Sequence, residues 1–89
     1  MLVRRRLTVH GSVQGVGFRV SVARAAQTRG VAGWARNRAD GTVEVVLEGE
    51  PDAVESIERL CADGPRGARV TRLDAATETP EGLRRFEIR

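Results

Sequence analysis

Apolar and polar residues alternate with a period of two from Val3 to His10, where Leu7 and Val9 share one face and Arg6 and Thr8 the other, which predicts a strand. Gly11 is expected to begin a turn. From Phe18 to Arg29 the spacing becomes helical, with Phe18, Val22, Ala25 and Ala26 recurring on one side, and Gly30 supplies the left-handed residue that commonly ends a helix. Val31 to Arg38 and Thr42 to Glu48 flank Ala39-Asp40-Gly41, and Asp-Gly between two strand-like runs predicts a hairpin with Val43, Val45 and Leu47 facing inward. Pro51 suits the first position of a second helix, Asp52 and Glu55 suit its positive end, and Val54, Ile57, Leu60 and Cys61 form its apolar stripe. Gly64-Pro65 stops it. Ala68 to Ala76 reads as a fourth strand of weaker pattern, in which Val70 and Leu73, three apart, leave room for a bulge. After a turn at Pro80-Glu81-Gly82, Leu83 to Ile88 forms a last short strand.

The order strand, helix, strand, strand, helix, strand predicts a ferredoxin-like α+β fold. Two helices cover one face of an antiparallel sheet of four main strands, plus a short C-terminal strand. A chain of 89 residues holds one domain, residues 1–89, with a core that must be mostly aliphatic because Phe18, Trp34 and Phe86 are its aromatic residues. The same scarcity argues against nucleic acid as a partner, since a base-stacking platform has little to be built from. The net charge of +3 attracts anions, and with every basic residue an arginine, chemistry through a lysine amine is excluded. One cysteine, Cys61, and one histidine, His10, make neither an internal disulfide nor a structural zinc site. No apolar run approaches the roughly 20 residues of a membrane helix, and none follows Arg4-Arg5-Arg6 as a signal peptide would require. The expectation is a cytoplasmic protein without a membrane partner.

Two segments carry candidate chemistry. Gly11-Ser12-Val13-Gln14-Gly15-Val16-Gly17-Phe18-Arg19 places three glycines where the first strand meets the first helix. Such a loop is either an ordinary connection with a solvated arginine or an anion cradle, in which backbone N–H groups, the helix N-terminus and the Arg19 fork share one phosphoryl group. It lacks both the Gly-Lys-Ser/Thr ending and the dinucleotide glycine spacing, so ATP and NAD are poor fits. In the hairpin Gly33-Trp34-Ala35-Arg36-Asn37-Arg38-Ala39-Asp40-Gly41-Thr42-Val43-Glu44, Asn37 is either a turn-proximal strand end or a functional residue. His10 is expected to be structural, Cys61 a core residue, Trp34 packed in or beside the core, and Arg4, Arg5 and Arg6 a solvated edge.

Together these two segments resemble the acylphosphatase family, whose signatures are a Gly-x-Val-Gln-Gly-Val-x-Phe-Arg loop and a Gly-Trp-x-x-Asn-x-x-Asp-Gly-x-Val-Glu hairpin. The resemblance spans essentially the whole chain, including Glu48-Gly49 and the Phe86-Glu87-Ile88 ending. It departs from the family's usual pattern at Ser12 and at Val20, positions that bear on substrate preference. The resemblance implies hydrolysis of small acyl phosphates, such as acetyl phosphate, carbamoyl phosphate or 1,3-bisphosphoglycerate, to carboxylate and inorganic phosphate. It implies that Gln14, Gly15, Val16, Gly17, Phe18 and Arg19 surround the phosphoryl group, that Asn37 holds the attacking water, and that Arg19 and Asn37 are the catalytic pair. No cofactor and no metal are expected, and the protein is expected to be a monomer. The alternative is a ferredoxin-like module that binds a small anion or RNA without catalysis.

Overall fold

A computed structural model describes residues 1–89. Its elements are β1 (Val3–Ser12), α1 (Phe18–Arg29), β2 (Ala32–Asn37), β3 (Val43–Gly49), α2 (Pro51–Asp63), β4 (Arg69–Glu78) and β5 (Phe86–Ile88). The strands lie in the order β4-β1-β3-β2-β5, with the first four antiparallel and β5 added parallel to β2. α1 packs on β2 and β5, and α2 on β1, β3 and β4. The expected ferredoxin-like arrangement is therefore present, on a sheet that is mixed because of its last strand.

Alternation decides the two faces. Leu7 and Val9 of β1, Ala35 of β2, and Val43, Val45 and Leu47 of β3 meet Phe18 and Val22 of α1 and Val54, Ile57 and Cys61 of α2 in one core. Cys61 is fully buried there, and loss of hydration pushes its thiol up to about 12, so it is an inert core residue as expected.

Two boundaries differ from the sequence pattern for local reasons. β1 does not turn at Gly11 but runs on to Ser12. The partner of His10 is Arg72 and that of Gly11 is Val70, so β4 carries an extra residue at Thr71, the anticipated bulge. Gly11 has φ +126°, and a Cβ there would lie 2.0 Å from the Arg69 carbonyl oxygen. At the other end, residues 83–85 stay outside the last strand. The Glu48 carboxylate accepts the main-chain N–H groups of Glu81 (2.8 Å), Gly82 (3.1 Å) and Leu83 (3.0 Å), wrapping this segment around it before β5 can start.

Arg4, Arg5 and Arg6 are not a solvated edge. β1 is a central strand, so its side chains are flanked on both sides, and Arg4 is 3% exposed. Arg4 binds Glu48 at 2.6 Å and Glu78 at 2.9 Å, Arg5 binds Glu58 of α2 at 2.8 Å, and Arg6 joins Glu44 and Glu78. Arg36 completes the sheet face away from the helices through Glu44, at 2.6 Å. Burial works against ionisation of Glu44 and Glu48, but their partners outweigh it and hold both below the usual carboxylate range. Trp34 lies on this same face, with the guanidinium carbons of Arg6, Arg36 and Arg89 at 5.5, 5.5 and 4.7 Å from its ring centre.

Candidate active site

The loop between β1 and α1 cannot satisfy its own backbone. Gly15 and Gly17 take left-handed conformations, φ +75° and +76°, that no β-carbon-bearing residue of this chain adopts. Gly17 caps α1 without a side-chain hydrogen bond, and the first return bond of the helix runs from the Ser21 N–H to the Gly17 carbonyl. The main-chain N–H groups of Gly15, Val16, Gly17, Phe18 and Arg19 consequently have no main-chain acceptor. With the positive end of α1 behind them, they form a nest for an anion.

Gln14 connects this loop to the hairpin. Its side-chain amide donates to the carbonyls of Arg38 (2.8 Å) and Thr42 (2.9 Å), on either side of the β2–β3 turn. The turn is closed by Asp40, which accepts from the Thr42 N–H at 3.0 Å and the Thr42 hydroxyl at 2.6 Å, bonds that hold its carboxyl below the ordinary range. These ties bring Asn37, the last residue of β2, against the loop.

The result is a cavity of about 80 Å³ lined by Val13, Gly15, Gly17, Phe18, Arg19, Val20 and Asn37. It is well below the roughly 300–1,000 Å³ of pockets that enclose drug-sized ligands. The lining contains no carboxylate, imidazole or thiol; its polar side chains are Arg19 and Asn37. A groove of about 580 Å³ between α1 and α2 is larger, but its lining, which includes Ser21, Arg24, Ser56 and Arg59, contains neither the glycine-loop residues nor Arg19 or Asn37.

Arg19 is held in place from behind. One of its terminal nitrogens donates to the main-chain oxygen of Arg89 at 2.7 Å. The Arg89 N–H in turn donates to the Ala35 carbonyl at 2.8 Å, so the end of β5 couples Arg19 to β2, the strand that carries Asn37.

Of the residues expected at the site, Gly15, Gly17, Phe18, Arg19 and Asn37 come together around the cavity. Gln14 and Val16 do not line it: the Gln14 side chain braces the hairpin, and Val16 projects outward, 36% exposed. Val13 and Val20 line it as well; their position on either side of the glycines was a usable signal in the sequence. Arg89 could not have been found by spacing, since 70 residues separate it from Arg19. His10 lies outside the cavity and pairs with Asp74 at 3.0 Å.

A glycine loop with unpartnered amides, one buttressed arginine and one asparagine, set on a ferredoxin-like sheet, makes an arrangement able to hold a small anion such as a phosphoryl group. The family model described as Acylphosphatase matches residues 5–88. An acylphosphatase of Thermococcus kodakarensis is 51% identical over 86 residues, covering 97% of this chain and 94% of the relative. The crystal structure of acylphosphatase from Bacillus subtilis superposes with a TM-score of 0.92 at 40% identity, covering 99% of this chain and 98% of that one. The structure of an acylphosphatase from Coxiella burnetii gives 0.94 at 33% identity, covering 99% and 93%. The chain belongs to the acylphosphatase family. It is an acylphosphatase by class, a hydrolase whose substrate is an acyl phosphate and whose product is phosphate.

Proposed function

We propose that this chain hydrolyses small acyl phosphates without a metal, by direct attack of a water that Asn37 orients. The observation that carries the reading is the convergence of unpartnered loop amides and the Arg19 guanidinium on the cavity that Asn37 borders. In this reading the amides of Gly15 to Phe18 and the Arg19 fork take the equatorial phosphoryl oxygens and stabilise the charge that grows there. The Asn37 side chain holds water in line with the P–O bond to the acyl group, a contribution of geometry.

The chemistry needs little else. Water oxygen bonds to phosphorus, the P–O(acyl) bond breaks, and its electron pair leaves on the carboxylate. Both water hydrogens end on the phosphate. A carboxylate has a conjugate acid of pKa about 4, so it departs at neutral pH without a proton donor. That accounts for a site lined without an acid, a thiol or a usual metal ligand. We further read the chain as a single catalytic domain, acting as a monomer in the cytoplasm, where its one thiol is buried and unpaired.

The test is hydrolysis of benzoyl phosphate by the purified protein in EDTA, with p-nitrophenyl phosphate as an ester control. Turnover of the anhydride alone, undiminished by the chelator, is expected. Loss of activity in EDTA restored by a divalent cation would overturn the metal-free route, and phosphate binding without turnover would favour a binding module.

A further inference from the structure

Apart from Met1 and Leu2, the large hydrophobic side chains left exposed are Val16, Val20 and Ile88, at 36%, 45% and 47%. Single exposed aliphatic residues are common, but these three sit on segments that meet at Arg19, Val16 and Val20 beside it in the chain and Ile88 next to Arg89, whose oxygen accepts from it. Val16 lies between the two glycines that line the phosphoryl cavity, and Val20 lines the cavity itself from the first turn of α1. Ile88 immediately precedes Arg89, the residue that buttresses Arg19. It pairs with Ala35, which faces the core, so Ile88 emerges on the helix side of the sheet, where β5 packs on α1.

In-line displacement decides which side of the cavity the acyl group occupies. Water held by Asn37 attacks from the end of β2, so the carboxylate must leave on the opposite side, toward the loop and α1. Those elements carry Val16 and Val20.

We propose that Val16, Val20 and Ile88 form an apolar rim that receives the acyl chain and selects acyl phosphates with aliphatic or aryl groups over polar or second-charge acyl groups. This rests on the reaction and the water position proposed above. The rim acts on the part of the substrate that the amides and Arg19 do not touch. It therefore sets discrimination between acyl groups and leaves the phosphoryl contacts common to all of them.

Acetyl and butanoyl phosphate test it, since their leaving carboxylates are similarly basic and differ mainly in apolar length. In the unmodified protein kcat/KM should be on the order of five-fold higher for butanoyl phosphate, the effect of partly burying two methylene groups. In Val20→Ser/Ile88→Ser the ratio should fall below about two-fold, with inhibition by inorganic phosphate confirming that the phosphoryl cavity is formed. Val20→Ser alone, on an exposed helix position, should lower the ratio in the same direction if the double variant folds poorly. Equal kcat/KM for the two substrates, or a ratio that survives the substitutions, would overturn the rim. No turnover of either substrate by the unmodified protein would overturn the acyl phosphate reaction itself, and the rim with it.

Discussion

Arg19 arrives at the cavity already oriented, with one nitrogen on the Arg89 main-chain oxygen and the remaining donors free for an anion. In the proposed reaction, loss of that fork would remove charge stabilisation in both ground and transition states. Arg19→Ala should therefore lower kcat/KM by roughly 10² to 10³ and also weaken competitive inhibition by phosphate. Arg19→Lys should not restore activity, since a single ammonium cannot reach both the Arg89 oxygen and two phosphoryl oxygens. Asn37 is a different case, because its proposed partner is water. Asn37→Ala should cut kcat by about 10² or more while the phosphate inhibition constant changes little, a split that steady-state kinetics resolves. Unchanged kcat would remove Asn37 from the mechanism.

At the scale of elements, two contacts decide whether the strands that frame the site can assemble. Gly33 of β2 has φ +141°, and a Cβ on it would lie 1.8 Å from the Val46 carbonyl oxygen across the β2–β3 ladder. Gly33→Ala should cost at least about 2 kcal/mol in urea unfolding, because backbone on both strands would have to move. Glu48 of β3 is bound by Arg4 from β1 and by three main-chain N–H groups of the segment leading into β5. Glu48→Ala leaves Arg4, 3% exposed, with Glu78 and Glu81 as its remaining partners and takes the acceptor from three main-chain N–H groups, and should cost at least about 2 kcal/mol. Because Arg89, whose oxygen holds Arg19, directly follows β5, the same variant should lower kcat/KM even under conditions where it remains folded. Stability measured by denaturant and activity measured at low temperature separate the two effects.

Across the whole molecule, the sheet face opposite the helices is an alternating set of arginines and glutamates that makes stability depend on pH. Arg6 and then Arg4 pull Glu78 from its ordinary 4.5 down to about 2, and Glu44 and Glu48 also lie below the ordinary value. As pH falls the unfolded chain takes up protons at these groups before the native one does, so acid favours unfolding. The urea midpoint should be nearly constant above about pH 5 and fall progressively between about pH 4.5 and 2; a midpoint that rises in acid would contradict the network. These partners hold Arg4-Arg5-Arg6 on a central strand where the sequence pattern predicts a solvated edge. Nothing in a run of three arginines says that the strand is central, and the carboxylates that neutralise them lie 38 to 74 residues away. What the sequence determined by itself is local: period-two and helical spacing for the elements, Asp-Gly for the hairpin, and a glycine loop beside Arg19 whose backbone angles only glycine takes readily. Asn37 was legible as a residue out of place in a strand, and became a site residue through resemblance. Tertiary structure decided what depends on distant partners meeting: the parallel seat of β5, the Gln14 brace between loop and hairpin, and the Arg89 oxygen behind Arg19. These contacts are single hydrogen bonds and ladders across long loops, which leave no periodicity in the chain that forms them.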